Sequence, residues 1–112
     1  MNVSFDEIGR LAVTFAAGEA LEAGQVCKLD ESGKAVPCAD GERFCGIAEG
    51  IRKGFAAVQV AGFARVSCED AAVKAGYVNL CADGAGGVKS GSGREYLLVS
   101  TDAAAKTVTI ML

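Results

Sequence analysis

"AGQVCKLDESGKAVPC", residues 23–38, is the stretch on which the reading of this chain turns. Cys27 and Cys38 make it either a thiol pair placed for chemistry or a strand, a turn and a strand that contain cysteines. A near-copy follows at residues 75–91, "AGYVNLCADGAGGVKSG". The copy keeps the Ala-Gly start and sets Val78 against Val26 and Leu80 against Leu29, but the cysteine spacing is lost. Architecture therefore recurs, not chemistry. Each copy reads as an Ala-Gly turn, a strand, an Asp- or Ser-Gly turn, and a second strand arriving at Val36 or Val88. A further β stretch follows each, "RFCGIAEGI" at 43–51 and "REYLLVST" at 94–101.

The rest of the chain follows the same period of two. "RLAVTFAA" sets Leu11, Val13 and Phe15 on one side, and "AAVQVAGFARVSC" carries Val58, Val60, Phe63 and Val66. "EYLLVST" and "KTVTIML" are β-branched and aromatic. Gly-, Asp- and Ser-rich punctuation separates these segments. The pattern predicts an all-β fold: a small single-domain barrel or sandwich of short antiparallel strands with two quasi-repeated halves. "CEDAAVKAG" at 68–76, or "GEALEAG" at 18–24, supplies at most one short helical turn. Residues 1–15 form an N-terminal strand or arm, and residues 16–112 the β domain.

Composition narrows function. At 112 residues the chain is one domain that buries roughly two-thirds of its unfolded surface, so it needs no metal or disulfide to fold. It has no histidine, which removes the commonest general base and a principal metal ligand. No catalytic residue, metal ligand or cofactor site is assigned, and the chain is read as a non-enzyme. Net charge is −3 with the signs interspersed, so no basic stripe addresses nucleic acid. The opening "MNVSFDEIGR" is acidic where a secretory signal is basic, and no apolar run reaches membrane-spanning length. The reading is synthesis in the cytoplasm, or at least without passage through a secretion pathway, with neither a nucleic acid nor a membrane partner.

Five cysteines stand at 27, 38, 45, 68 and 81, with no Cys-x-x-Cys pair. The closest spacing is seven, which suits neither a zinc set nor a disulfide framework. They are read as small hydrophobic fillers. "GAGGVKSGSG" at 84–93 lacks the ending of a phosphate loop and is read as a flexible hairpin tip. Asp30, Glu31, Asp40 and Glu42 flank turns as solvated acids, or as a weak catalytic grouping.

The order of these elements resembles the small capsid decoration, or head cement, proteins of tailed bacteriophages and prophages. The resemblance lies in "LEAGQVCKLDESGKAVPCADGERFCGIAEG" (21–50), "AAVQVAGFARV" (56–66), "VKAGYVNLCADGAGGV" (73–88) and a closing β segment. It covers all but the first dozen or so residues. The cysteines at 27, 38, 45 and 81 depart from it, standing where aliphatic or small residues are expected. The resemblance implies a structural virion protein on the capsid surface that binds the major capsid protein. It also implies a homo-oligomer, with a trimer favoured, that bridges capsomers of the expanded head.

Two contact elements are expected. The N-terminal segment alternates Val3, Phe5 and Ile8, and is either a strand added to a capsid or subunit edge or simply the first strand of the domain. Arg52 and Lys53 in "EGIRKGF" (49–55) are adjacent cations suited to an acidic capsid patch, or an ordinary solvated loop. The alternative function is a biotinyl- or lipoyl-like barrel carrier or another non-catalytic interaction module. Lys34, in "SGKAV", lacks the carrier-lysine setting.

Overall fold

The computed structural model describes residues 9–112. It is all-β: β1 (Leu11–Ala16), β2 (Val26–Leu29), β3 (Ala35–Pro37), β4 (Gly46–Arg52), β5 (Phe55–Ala61), β6 (Phe63–Ser67), β7 (Gly76–Ala82), β8 (Val88–Ser90), β9 (Arg94–Asp102) and β10 (Thr107–Met111). Two five-stranded antiparallel sheets form a sandwich, one ordered β1-β5-β4-β2-β3 and the other β6-β10-β9-β7-β8. The second order is the first shifted by five strands, so the chain is two units of one topology joined at Gly62.

Hydrogen bonds place the two units in register. Asp30 accepts at Oδ1 from the N–H groups of Ser32 and Lys34, two and four residues on, and Asp83 accepts likewise from Ala85 and Gly87. Each aspartate also donates its own N–H to the carbonyl four residues on, Lys34 or Gly87. These side chains close the β2–β3 and β7–β8 turns by satisfying backbone donors that the ladders leave free. Ladder irregularities coincide too: β4 skips Glu49 against β5, and β9 skips Val99 against β10. Beyond β1, Ala17 N–H reaches Gly54 O, as Cys68 N–H beyond β6 reaches Lys106 O, both at 2.8 Å.

This register corrects the alignment expected from the glycines. With Asp30 matched to Asp83, Leu80 corresponds to Cys27, and Leu29 to Ala82. The second unit carries one extra residue between Gly76 and Leu80, relative to Gly24 and Cys27, and an alignment through the Ala-Gly turns cannot see where it sits. Burial agrees at the first of these pairs, Cys27 and Leu80 both being fully inaccessible, and differs at the second, where Leu29 is exposed and Ala82 buried.

The cores differ in weight. The larger cluster gathers Leu80, Leu98, Val108, Ile110 and Tyr96 of the second unit with Val26, Phe44 and Ile47 of the first. The smaller is built from Leu21, Cys27, Ala35, Ala48, Ala56 and Val58. Three alanines make it thin, because each offers little apolar area to remove from water. No helix occurs among the described residues, within the expectation of at most one short helical turn; residues 68–75 are irregular chain with one turn, in which Val73 N–H donates to Asp70 O. Asp70 diverts it, accepting from Ala72 N–H and from the Ser90 N–H and hydroxyl twenty residues on.

Candidate functional site

The β4–β5 hairpin turns on two residues, Lys53 (φ 52°) and Gly54 (φ 80°). Two successive positive φ values make the tight turn whose twist matches that of antiparallel strands, and glycine takes one of them without a Cβ penalty. Arg52 is therefore the last residue of β4 and not part of a loop, and Lys53 stands alone at the tip. Both are exposed. Ladder register puts Ala16, Phe55 and Arg52 side by side across β1, β5 and β4. Phe55 is 56% exposed and Leu11 55%. The opposite face sets Phe15, Ala56 and Ile51 in one row, and Ile51 is exposed as well.

β1 is the outer strand of this end of the sheet. It pairs with β5 along its length, and five of its six residues are exposed. The outer edge of β1 pairs with no other named strand, and only beyond it does one parallel bridge, Ala17 to Ala35, reach across to β3. The structure thus puts Leu11–Ala16 in the first sheet. Val3, Phe5 and Ile8 lie outside the described residues. Arg10, just before β1, forms an ion pair with Glu49 at the β4 irregularity. Phe55, Arg52 and Lys53 together give an exposed aromatic with two cations beside it at the hairpin end, while Leu11 lies at the far end of β1, against Ala61.

Phe55 and Ile51 were not singled out from sequence. The signal was present for Phe55: a two-residue turn at 53–54 makes Arg52 and Phe55 opposite partners, so both point to one face.

The acids at the turns are not brought together as a catalytic set. Asp30 closes its own turn, and Asp40 pairs with Lys89 at 2.6 Å. Glu42 pairs with Lys28 at 2.5 Å and accepts from Ala39 N–H. The Lys28 ammonium, and then the Ala39 N–H, hold the Glu42 carboxyl below the usual carboxylate range. The 84–93 segment is not a free tip: Gly86 O accepts from Val26 N–H at 3.0 Å, packing the turn against β2. A surface depression lined by Cys68, Asp70, Thr101, Asp102 and Lys106 holds acids whose oxygens are occupied, Asp70 by Ala72 and Ser90, and Asp102 by Ala105 N–H.

Four of the five thiols, Cys27, Cys38, Cys68 and Cys81, are buried, and Cys45 is exposed. The fold draws Cys27, Cys38 and Cys45 together around the 38–45 loop, although they are far apart in sequence. Among the described residues, no group of three or more His, Cys, Asp or Glu side chains is arranged to hold a metal ion. No described helix is long and apolar enough to cross a membrane.

Comparison with family models, with curated proteins and with solved structures returned no match to this chain.

Proposed function

We propose that this chain is a non-catalytic decoration protein of a tailed-phage head. In this reading it binds the major capsid protein from outside, as a homo-oligomer with a trimer favoured, and ties neighbouring capsomers together. The observation that carries it is the Ala16–Phe55–Arg52 row at the β1 end of the first sheet, capped by Lys53. An exposed aromatic beside two exposed cations is the composition of a protein-contact patch: the ring supplies desolvated area, and the cations supply steering toward an acidic partner. The two-unit β architecture and the order of segments resembling head cement proteins add support. Repetition over many capsid sites turns modest affinity per site into firm retention.

The test is to induce the source strain with a DNA-damaging agent, purify particles on a density gradient, and quantify their proteins by mass spectrometry. The 11.4 kDa chain should appear in amounts comparable to the major capsid protein. Heads that lack it sink the proposal.

A further inference from the structure

Cys27 occupies the place that Leu80 fills in the second unit, three residues ahead of the turn-closing aspartate, and both positions are fully buried. A leucine there fills the core; a cysteine leaves it thinner and installs a thiol. Its ladder partner is Gly46, and the residue just before that glycine is Cys45, exposed and the last before β4.

The backbone fixes their separation. Cys45 N–H donates to Cys27 O at 2.8 Å. Standard bond lengths on either side of that hydrogen bond hold the two Cα atoms within about 6.7 Å, inside the span that a disulfide bridges. Cys27 Sγ lies 3.7 Å from the carbonyl oxygen of Gly46, the residue after Cys45, and each of the two thiols perturbs the ionisation of the other. The third thiol of the cluster, Cys38, directs its Sγ to Arg43 O instead.

We propose that Cys45 and Cys27 form a peroxide-reactive thiol pair, in which Cys45 is oxidised first and Cys27 then closes an internal disulfide. The hydrogen bond from Cys27 favours the Cys45 thiolate, bringing that thiol down to about 7 against the opposing effect of burial. Hydrogen-bonding to Cys45, and then burial, push the Cys27 thiol up, so it keeps its proton until it is needed.

In the first step the Cys45 thiolate attacks one peroxide oxygen. An S–O bond forms, the O–O bond breaks, and the departing oxide takes a proton to leave as an alcohol, or as water from hydrogen peroxide. In the second step Cys27 sulfur attacks the Cys45 sulfenic sulfur. The S–S bond forms, the S–O bond breaks, and water leaves with the Cys27 proton. Two thiols are oxidised by two electrons and one peroxide is reduced.

The product would staple β2 to the loop that carries Phe44 into the shared core. This inference does not depend on the proposed function.

The experiment treats the reduced full-length chain with a few equivalents of hydrogen peroxide, alkylates the remaining thiols, and reads mass and peptide map. Trypsin cuts after Lys28, Lys34 and Arg43, leaving Cys27, Cys38 and Cys45 on separate peptides. The expected result is a loss of about 2 Da before alkylation and a cross-linked pair of peptides containing Cys27 and Cys45. Cys45→Ser, at an exposed position, should abolish the cross-link and slow peroxide consumption at least tenfold. Cys27→Val, close in size, should leave Cys45 as a sulfenic acid trapped by dimedone. Cross-linking of Cys38 to either partner, over-oxidation of Cys45 with Cys27 left as a thiol, or reaction no faster than that of free glutathione would each overturn the proposal.

Discussion

The rings of Phe44 and Tyr96 stack 5.1 Å apart and within 4° of parallel, joining a loop of the first unit to a strand of the second. Tyr96 hydroxyl reaches back to Phe44 O at 3.4 Å, and the Arg94 guanidinium lies 4.9 Å from the centre of the Tyr96 ring. The same loop pairs with the second unit through its backbone, Gly41 N–H to Ala82 O and Ala82 N–H to Glu42 O. Ring stacking and backbone pairing at one junction make the two units a single cooperative body.

Phe44→Ala should therefore cost about 3–5 kcal/mol, because it opens a cavity where neither unit can collapse to fill it. Tyr96→Phe should cost under about 1 kcal/mol, since it keeps the stack and removes only a long hydrogen bond. Urea unfolding followed by both far-UV and near-UV signals checks this. The large effect must fall on Phe44, with one transition in the wild type.

Gly93 separates β8 from β9 at a point where a side chain has no room. A Cβ there would collide with Leu80 O and sit 2.5 Å from Leu80 C, and neither backbone atom can swing away. Gly93→Ala should lower stability by about 2–4 kcal/mol by parting β7 from β9. Gly50→Ala meets nothing within 4 Å and should change stability by less than about 1 kcal/mol. Chemical denaturation of the pair decides between close approach and general glycine sensitivity.

Acid should weaken the fold through three carboxylates. Lys34 N–H, then the Ser32 hydroxyl, hold Asp30 below the ordinary range. Ala72 N–H, then the Ser90 hydroxyl, do so for Asp70, and the Lys28 ammonium does so for Glu42. A carboxyl whose folded-state pKa is depressed adds stability that is complete above its unfolded value and disappears as pH falls through the folded value. Melting temperature should thus be flat with respect to these groups near neutrality and fall below the ordinary carboxylate range of 3.8 to 4.5. Asp70→Asn should shallow that decline. An unchanged acid slope would show that the Ser90 and Ala72 bonds do not matter to folding.

Replacing Arg52 and Lys53 together with glutamate, or Phe55 with lysine, should leave stability within about 0.5 kcal/mol, since all three side chains are exposed. Binding to expanded heads should drop at least tenfold in each case, and the charge reversal should lose its effect in high salt. Co-sedimentation with heads measures this. Full retention by both variants would move the contact surface elsewhere.

Much of the fold was legible because alternation is a local signal. Leu11, Val13 and Phe15 announced β1, and the two stretches that open on Ala-Gly, at 23–38 and 75–91, announced the repeat. The register of the repeat was not legible. Pairing Leu80 with Leu29 misses by two positions, because the second unit carries one residue more after its Ala-Gly turn where that pairing supposes one fewer, and the matching Asp30 and Asp83 hydrogen bonds show which residues correspond. The course of residues 68–75 was illegible for a related reason, since Asp70 bonds to Ser90 across twenty residues that a local pattern cannot join. The thiol cluster was hidden by the same distance: read singly, each cysteine is a small apolar filler, and only the 38–45 loop brings Cys45 onto Cys27.

Gly62 alone separates β5 from β6, and among the described residues every pairing of named strands lies within one half of the chain. That keeps sequence separation short for an all-β molecule, which favours rapid folding. It also orders events during synthesis. The strands of the first sheet leave the ribosome complete while Val26, Phe44 and Ile47 still lack Leu80 and Tyr96 to cover them. At about 5–20 residues per second, the first half waits a few seconds with that apolar face open, and in that interval it is most exposed to a neighbouring nascent chain carrying the same half.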